Sequence, residues 1–294
     1  MPIADTFTAP DGQSIHLWRW PAKPGRATLH WAHATGFHGR MYAPLLDLLA
    51  AHLNVVAWDM RGHGASRSAG NPQMFRGWKT YYDDLATFLK THDEPIWMAG
   101  HSVGGMTTLG AAAQMPEKVA GIFLIEPVLM DYFRGFPFGI AKLFGRTKRI
   151  KIVAGAARRQ PHFPSRQDAY DNYRTKRAFY TWSDEWLQGY VEHGFVDDVS
   201  EEGTPRVSLS CQPAWESLTF SHAEHQPWRY LARLQGVSSI HALGGEHRST
   251  FPPSARQMMK RYLPQAEIEE VADSSHFLPM EFTQQVAEWI LERV

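Results

Sequence analysis

The chain has 294 residues, of which 44% are hydrophobic, and its 30 basic side chains balance 30 acidic ones. This length and hydrophobic content suffice for one large α/β domain, or for a core with an inserted second lobe. The zero net charge gives no global indication of a nucleic-acid or acidic surface partner. A single cysteine, Cys211, excludes an intramolecular disulfide and is typical of a reducing compartment.

The N-terminal residues and the apolar runs restrict the class of protein further. The first residues include Asp5 and Thr6 and lack the basic-then-apolar pattern of a secretory leader. No apolar run approaches the roughly 20 residues that span a bilayer. We therefore expect a cytoplasmic protein without a membrane span, and the sequence does not indicate its oligomeric state.

Strands and helices are predicted to alternate along the first 130 residues. The pattern predicts strands over 14–20, 28–34, 54–60, 95–99 and 119–129, and helices over 41–52, 79–90 and 103–113. Most of these strands are apolar throughout, which is typical of strands buried on both faces. The fold class is therefore α/β, with a mainly parallel sheet covered by helices on both sides.

The alternation stops near Asp131 and returns near Trp228. Aromatic residues are dense in between, and we predict a mainly helical cap over 131–229 inserted into a core formed by 1–130 and 230–294. After the cap, the pattern predicts a helix over 228–235, a strand over 238–243, a helix over 255–263, a strand over 268–271 and a helix over 281–293.

The stretch Gly100-His101-Ser102-Val103-Gly104 joins a predicted strand to a predicted helix. A tight turn of this kind holds the serine in a strained conformation with its hydroxyl exposed, and the flanking glycines allow strand and helix to pass closely. The N-terminus of the following helix directs N–H groups at the site. Ser102 is therefore the candidate nucleophile.

Together with Ser102, three further motifs resemble the α/β-hydrolase superfamily. They are the loop His33-Ala34-Thr35-Gly36-Phe37, the turn Asp59-x-Arg61-Gly62-x-Gly64-x-Ser66, and Ser275-His276-Phe277 between the last predicted strand and helix. The resemblance covers about 1–130 and 230–294 and implies a serine hydrolase with a Ser-His-acid triad and no cofactor. The sequence contains no Gly-x-Gly-x-x-Gly motif for a dinucleotide cofactor. It also contains no cluster with metal-ligand spacing, so no metal site is expected.

Catalysis by Ser102 requires a base and an acid that orients the base. His276 is the best base, because its predicted position lies at the strand end near Ser102. The identity of the acid stays open among three residues. Glu126 follows a buried strand, and Glu246 lies in the loop where the resemblance implies an acid, although Arg248 replaces the usual aspartate there. Asp131 is the least favoured alternative. We favour Glu126.

The oxyanion hole is predicted to use the backbone N–H of Val103 and one N–H of the His33–Phe37 loop. We favour Phe37 as the second donor, with Thr35 as the alternative. His38 and Met41 lie near this loop in the sequence and are predicted to contact substrate. The many cap aromatics predict an apolar acyl or aryl pocket.

Twelve basic residues and two acidic ones lie between Arg134 and Arg177, and seven acidic residues and no Lys or Arg between Asp184 and Glu202. These runs indicate either two solvated faces that pair with each other or a basic rim that attracts an anionic substrate. The leading hypothesis is hydrolysis of carboxylic esters through an acyl-enzyme on Ser102. Alternatives are the same triad acting on a thioester, a lactone or a carbon–carbon bond, and a non-catalytic small-molecule receptor.

Overall fold

A computed structural model describes all residues from 1 to 294, and it is organised around an eight-stranded sheet. In sheet order the strands are β1 (Ile3–Thr8), β2 (Ser14–Arg19), β4 (Asn54–Trp58), β3 (Thr28–Ala32), β5 (Ile96–His101), β6 (Val119–Ile125), β10 (Ile240–Gly245) and β11 (Glu267–Val271). The pairs β1–β2 and β2–β4 are antiparallel and the other five neighbouring pairs are parallel, so the prediction of a mainly parallel sheet is confirmed.

Helices cover both faces of this sheet, as the apolar strands require. Along β4, Val55 and Ala57 pack into one hydrophobic core, whereas Val56 and Trp58 pack into the other. The first core lies against α1 (Ala43–Ala50) and α12 (Thr283–Leu291), and the second lies against α2 (Lys79–Leu89), α3 (Val103–Ala112) and α10 (Pro253–Tyr262). None of the helices is long and apolar enough to cross a bilayer.

Strand β1 is absent from the sequence-based prediction. It lies at the edge of the sheet and pairs only with β2, and nearly all of its residues are exposed. An edge strand with little burial does not need the apolar alternation by which strands are recognised in a sequence. This is why the pattern did not reveal it.

The segment 131–229, which we call the cap segment, lies between β6 and β10. Its helices are α4 (Tyr132–Leu143), α5 (Lys151–Ala157), α6 (Arg166–Arg174), α7 (Asp184–Gly194) and α8 (Pro213–Ser221), and α9 (Trp228–Leu231) crosses its C-terminal boundary. It also contains a separate antiparallel sheet of β7 (His162–Phe163), β8 (Phe195–Val199) and β9 (Pro205–Leu209). The predicted mainly helical content therefore omitted three strands, which are short and carry charged residues such as Asp197.

The carboxyl ends of β3, β5, β6 and β11 meet at one edge of the sheet, because these strands are parallel. The His33–Phe37 loop follows β3, Ser102 follows β5, Glu126 follows β6, and the loop with His276 joins β11 to α11 (Leu278–Glu281). Ligands of parallel sheets bind at this edge.

Candidate active site

Ser102 lies on the turn between β5 and α3 in a strained backbone conformation, with φ 59° and ψ −120°. The two flanking glycines explain how this turn fits. A Cβ on Gly104 would lie 2.1 Å from the carbonyl oxygen of Ala32, and one on Gly100 would lie 2.4 Å from the carbonyl oxygen of Gly104. Helix α3 therefore approaches both β3 and β5 so closely that no side chain is tolerated at either glycine.

The Ser102 hydroxyl and the backbone N–H of Val103 both lack a hydrogen-bond partner within the protein. Its Oγ makes no hydrogen bond, and it opens into the same cavity as the side chain of His276. The backbone N–H of Val103 begins α3 and also has no hydrogen-bond acceptor. An N–H at a helix N-terminus beside a serine hydroxyl provides one donor for a developing oxyanion.

Both the ring and the backbone of His276 are held by contacts. Its Nδ1 lies 3.3 Å from Oε2 of Glu126 and 3.1 Å from Oγ1 of Thr250. Its backbone carbonyl accepts a 2.8 Å hydrogen bond from Nε2 of His101, and the two imidazole rings lie 5.0 Å apart. Nε2 of His276 makes no hydrogen bond, so this nitrogen is free to act toward the cavity.

Glu126 is fully buried and adopts a positive φ of 49°. Its carboxylate accepts hydrogen bonds from the N–H of Gly245, from the Ser249 hydroxyl at 2.6 Å and from the N–H of Thr250 at 2.9 Å. Burial raises the pKa of Glu126, but the hydrogen bonds and His276 together outweigh burial and hold the pKa below its ordinary value. The carboxylate is therefore ionised beside the imidazole.

The alternative acids lie elsewhere. Glu246 is exposed, and its Oε2 accepts the N–H of Asp273 at 2.9 Å. Asp131 caps α4 by accepting the N–H of Arg134, and it also accepts the hydroxyl of Ser254. Neither carboxylate makes a hydrogen bond to His276.

The loop after β3 does not offer the N–H of Phe37 to a substrate. That N–H donates to the carbonyl of Ala34 at 3.1 Å and closes a turn, so the prediction of Phe37 as oxyanion donor needs correction. The N–H of Thr35 has no acceptor, and the buried Thr35 hydroxyl also lacks a partner. Thr35 lines the cavity, so the loop directs the alternative donor toward the site.

His38 and Met41 do not reach the cavity, contrary to the sequence-based prediction. His38 is buried and caps the short turn 39–42, where its Nδ1 accepts the N–H of Met41 at 3.2 Å. Met41 is fully buried in the hydrophobic core. Nearness in sequence to the loop did not imply nearness to the site, because the chain turns away from the sheet edge after Phe37.

The cavity above Ser102 has a volume of about 580 Å³ and a mainly apolar lining. The cap segment supplies many of its walls, and the side chain of Phe37 also contributes. Cap aromatics and aliphatics in the lining include Phe138, Ile150, Ile152, Tyr173, Phe179, Tyr190 and Phe220. A volume of this size suits a ligand of tens of heavy atoms with an apolar body.

One charged pair, which the sequence-based prediction does not include, interrupts this apolar lining. Nη1 of Arg159 donates to Oε2 of Glu216 at 2.5 Å, and Nη2 donates to the hydroxyls of Tyr190 at 2.6 Å and Tyr173 at 3.0 Å. A Cβ on Gly36 would lie 2.8 Å from Oε1 of Glu216, so the pair lies directly against the loop after β3. The only sequence signal was membership of Arg159 in the basic run, which does not indicate burial.

The two charged runs of the cap segment pair only in part. Arg166 contacts Asp197 at 2.5 Å, and Arg174 contacts Asp184 at 2.7 Å. The basic residues between 146 and 151 form no ion pair. The interpretation of two mutually paired faces is therefore incomplete.

Comparison with known proteins agrees with this architecture. Residues 30–289 match the model of the Alpha/beta hydrolase family, so the chain belongs to that family. Among solved structures, the thioesterase domain from the curacin biosynthetic pathway superposes with a TM-score of 0.74 at 20% identity, covering 99% of both chains. E-2-(acetamidomethylene)succinate hydrolase superposes with a TM-score of 0.76 at 16% identity, covering 100% of this chain and 99% of the other. At these identities the likeness concerns the fold alone.

Two curated relatives match over shorter stretches. Monoglyceride lipase of Rattus norvegicus is 29% identical over 127 residues, which is 41% of this chain and 41% of the lipase. Pimeloyl-[acyl-carrier protein] methyl ester esterase of Xanthomonas oryzae is 33% identical over 93 residues, which is 32% of this chain and 34% of the esterase. The matches thus span about two-fifths or less of these relatives' lengths.

Proposed function

We propose that this protein is a serine hydrolase that cleaves carboxylic esters with an apolar acyl or aryl group. The observation that carries the proposal is the meeting, in one mainly apolar cavity, of the strained Ser102 and of His276, which contacts the buried Glu126 carboxylate. Relatives with the names of a lipase and an ester esterase support the class of bond.

In the proposed mechanism, Oγ of Ser102 attacks the ester carbonyl while Nε2 of His276 takes its proton. Glu126 and the Thr250 hydroxyl hold Nδ1, which orients the ring and, through the carboxylate, stabilises the imidazolium. The proton then passes from His276 to the departing alcohol, and an acyl-enzyme remains on Ser102. Water, deprotonated by His276, attacks this acyl-enzyme and releases the acid.

The oxyanion is proposed to accept hydrogen bonds from the N–H groups of Val103 and Thr35. Both donors lack protein acceptors and both residues line the cavity, which is the condition for stabilising charge that develops only in the transition state. The side chain of Phe37, whose N–H is occupied, then serves as part of the acyl pocket wall.

The test is turnover of a chromogenic ester series from acetyl to palmitoyl. Ser102→Ala and His276→Ala are each expected to abolish turnover while the protein stays folded, and the exposed Ser68→Ala serves as a matched serine control with unchanged rates. The chain length at which turnover peaks would give the length of the acyl group that the pocket accommodates. Near-wild-type rates in either active-site variant would contradict the proposal.

The alternative substrates retained from the sequence are thioesters and lactones, which use the same acyl-enzyme, and carbon–carbon bonds. A thioester with the same acyl group and a lactone are therefore tested in the same assay. Ser102-dependent turnover of these, with none of the oxygen esters, would transfer the proposal to that bond. Tight ligand binding without any turnover would favour the receptor hypothesis.

A further inference from the structure

Helix α4 presents an apolar stripe to solvent instead of to the protein. Phe133, Phe136 and Leu143 are 87%, 71% and 80% exposed, and Ile140 and Phe144 are also exposed. These positions recur at intervals of three or four residues and therefore share one face of the helix. Only Gly135 of this helix is buried. An amphipathic helix normally buries its apolar face, so this surface lacks a partner.

Unneutralised positive charge lies beside the stripe. The chain has nine Lys and Arg residues and no acidic residue between Asp131 and Asp168. Arg146, Lys148, Arg149 and Lys151 follow α4 directly and are exposed, and their side chains make no ion pair or hydrogen bond. The surface formed by Phe133, Phe136, Ile140, Leu143, Phe144 and these four basic residues is called the docking surface below.

The docking surface adjoins the entrance of the active-site cavity. Phe138 of α4 lines the cavity, as do Ile150 and Ile152, which flank Lys151. Ile152 is also exposed to solvent, so it lies where the cavity opens. A partner that covers the docking surface therefore meets the mouth of the cavity.

We infer that the docking surface binds the face of an anionic lipid bilayer. Large apolar side chains on one side of a helix insert among headgroups and acyl chains, and adjacent Lys and Arg side chains attract anionic lipids. A second copy of the chain is disfavoured as the occupant, because two surfaces with unneutralised positive charge would face each other. An acidic protein would match the charge, but five large apolar side chains projecting from α4 and from the residue that follows it match lipid better than a polar protein surface.

Membrane docking does not require the proposed catalysis, whereas its use in delivering an apolar acyl substrate rests on the proposed function. Binding is therefore measured on Ser102→Ala protein, which leaves the lipids intact. Sedimentation with vesicles of phosphatidylcholine alone is compared with vesicles that contain about one third phosphatidylglycerol. We expect at least roughly tenfold stronger binding to the anionic vesicles, and a loss of that preference at high salt.

Two variants separate the contributions of the stripe and of the charge. Phe133→Ser with Phe136→Ser, and Gln at Arg146, Lys148, Arg149 and Lys151, are each expected to weaken vesicle binding by roughly tenfold or more. None of these residues lines the cavity, so turnover of a short soluble ester by otherwise wild-type protein stays unchanged. The matched controls are Ile3→Ser, and Gln at Lys23, Arg67, Lys90 and Arg233, which are exposed elsewhere and retain binding.

Two kinds of result would overturn the inference. Absence of binding to either vesicle, or equal binding by the variants, would show that lipid does not occupy the docking surface. A doubled mass in solution that Phe133→Ser and Phe136→Ser reverse would assign the surface to a second copy. Vesicle binding without ester turnover would leave the inference standing and contradict only the proposed function.

Discussion

At the scale of single residues, strain is concentrated where the proposed chemistry occurs. Four residues other than glycine have a positive φ, and two of them are Ser102 and Glu126. Such conformations are unfavourable for residues with a side chain and persist only where the surroundings enforce them. At Glu126 the surroundings are the hydrogen bonds from Gly245, Ser249 and Thr250 and the 2.8 Å bond from its own N–H to the carbonyl of Leu243. The backbone thereby fixes the carboxylate relative to His276.

Replacing the buried acid tests this arrangement. Glu126→Gln is expected to lower kcat by roughly two to four orders of magnitude, because an amide neither stabilises the imidazolium nor fixes the tautomer of His276. Glu246→Gln removes an exposed carboxylate that makes no bond to His276, and it is expected to leave kcat nearly unchanged. Steady-state kinetics with both variants, after thermal unfolding has shown that they fold, makes the comparison. The opposite ranking would assign the acid to Glu246.

At the scale of elements, the sequence predicts the sheet and the sheet edge better than the cap. The central strands β4, β5 and β6 are largely apolar and the Ser102 turn has a steric signature, so both were recognised. The donor on the His33–Phe37 loop was not, because the bond from the Phe37 N–H to Ala34 depends on a turn that residue types do not specify. The Arg159–Glu216 pair joins residues 57 positions apart, and no local pattern indicates such a contact.

The close approach of β5, α3 and β3 gives a prediction at this scale. Gly104→Ala places a methyl group 2.1 Å from the carbonyl oxygen of Ala32, and backbone atoms cannot yield as a flexible side chain does. We expect a loss of about 3 kcal/mol or more in the free energy of unfolding, together with loss of turnover as the Val103 N–H moves. Urea unfolding and the ester assay measure the two effects.

The matched control for this substitution is Gly155→Ala in α5. No atom lies within 4 Å of a Cβ built on Gly155, so the added methyl group meets open space. Alanine is the better helix former, and we expect stability to stay constant or rise by up to about 1 kcal/mol. If Gly104→Ala were as stable as Gly155→Ala, the steric explanation of the Ser102 turn would be wrong.

At the scale of the whole molecule, the zero net charge conceals an uneven distribution. Basic residues dominate the first half of the cap segment and acidic residues dominate 184–202. Only part of these charges form ion pairs across the cap. The basic residues between 146 and 151 stay unpaired, so the surface at the cavity mouth is positive although the net charge is zero. The total charge gives no indication of an anionic partner, whereas the local positive charge around α4 favours an anionic surface.

Buried histidines give the molecule a collective response to acid. His30, His33, His38, His63 and His101 are all buried, and burial is the main cause that holds the pKa of each below its ordinary value of 6.5. For His30 and His38 the pKa falls to about 3, and for His63 to about 4. The unfolded chain takes up protons at these positions below about pH 6.5 while the folded chain does not, so acid favours unfolding.

Between pH 7 and pH 5.5 each such histidine removes roughly 1 kcal/mol from the free energy of unfolding, and five together remove roughly 5–6 kcal/mol. His30 isolates one contribution, because both of its ring nitrogens lack partners and the ring packs on Phe88 and Trp58. His30→Phe is therefore expected to be stabilising by roughly 1 kcal/mol more at pH 5.5 than at pH 8, as measured by urea unfolding at both pH values. The exposed His52→Gln serves as the control and should show no such difference. An equal effect of His30→Phe at both pH values would mean that the buried imidazole titrates alike in the folded and unfolded chains.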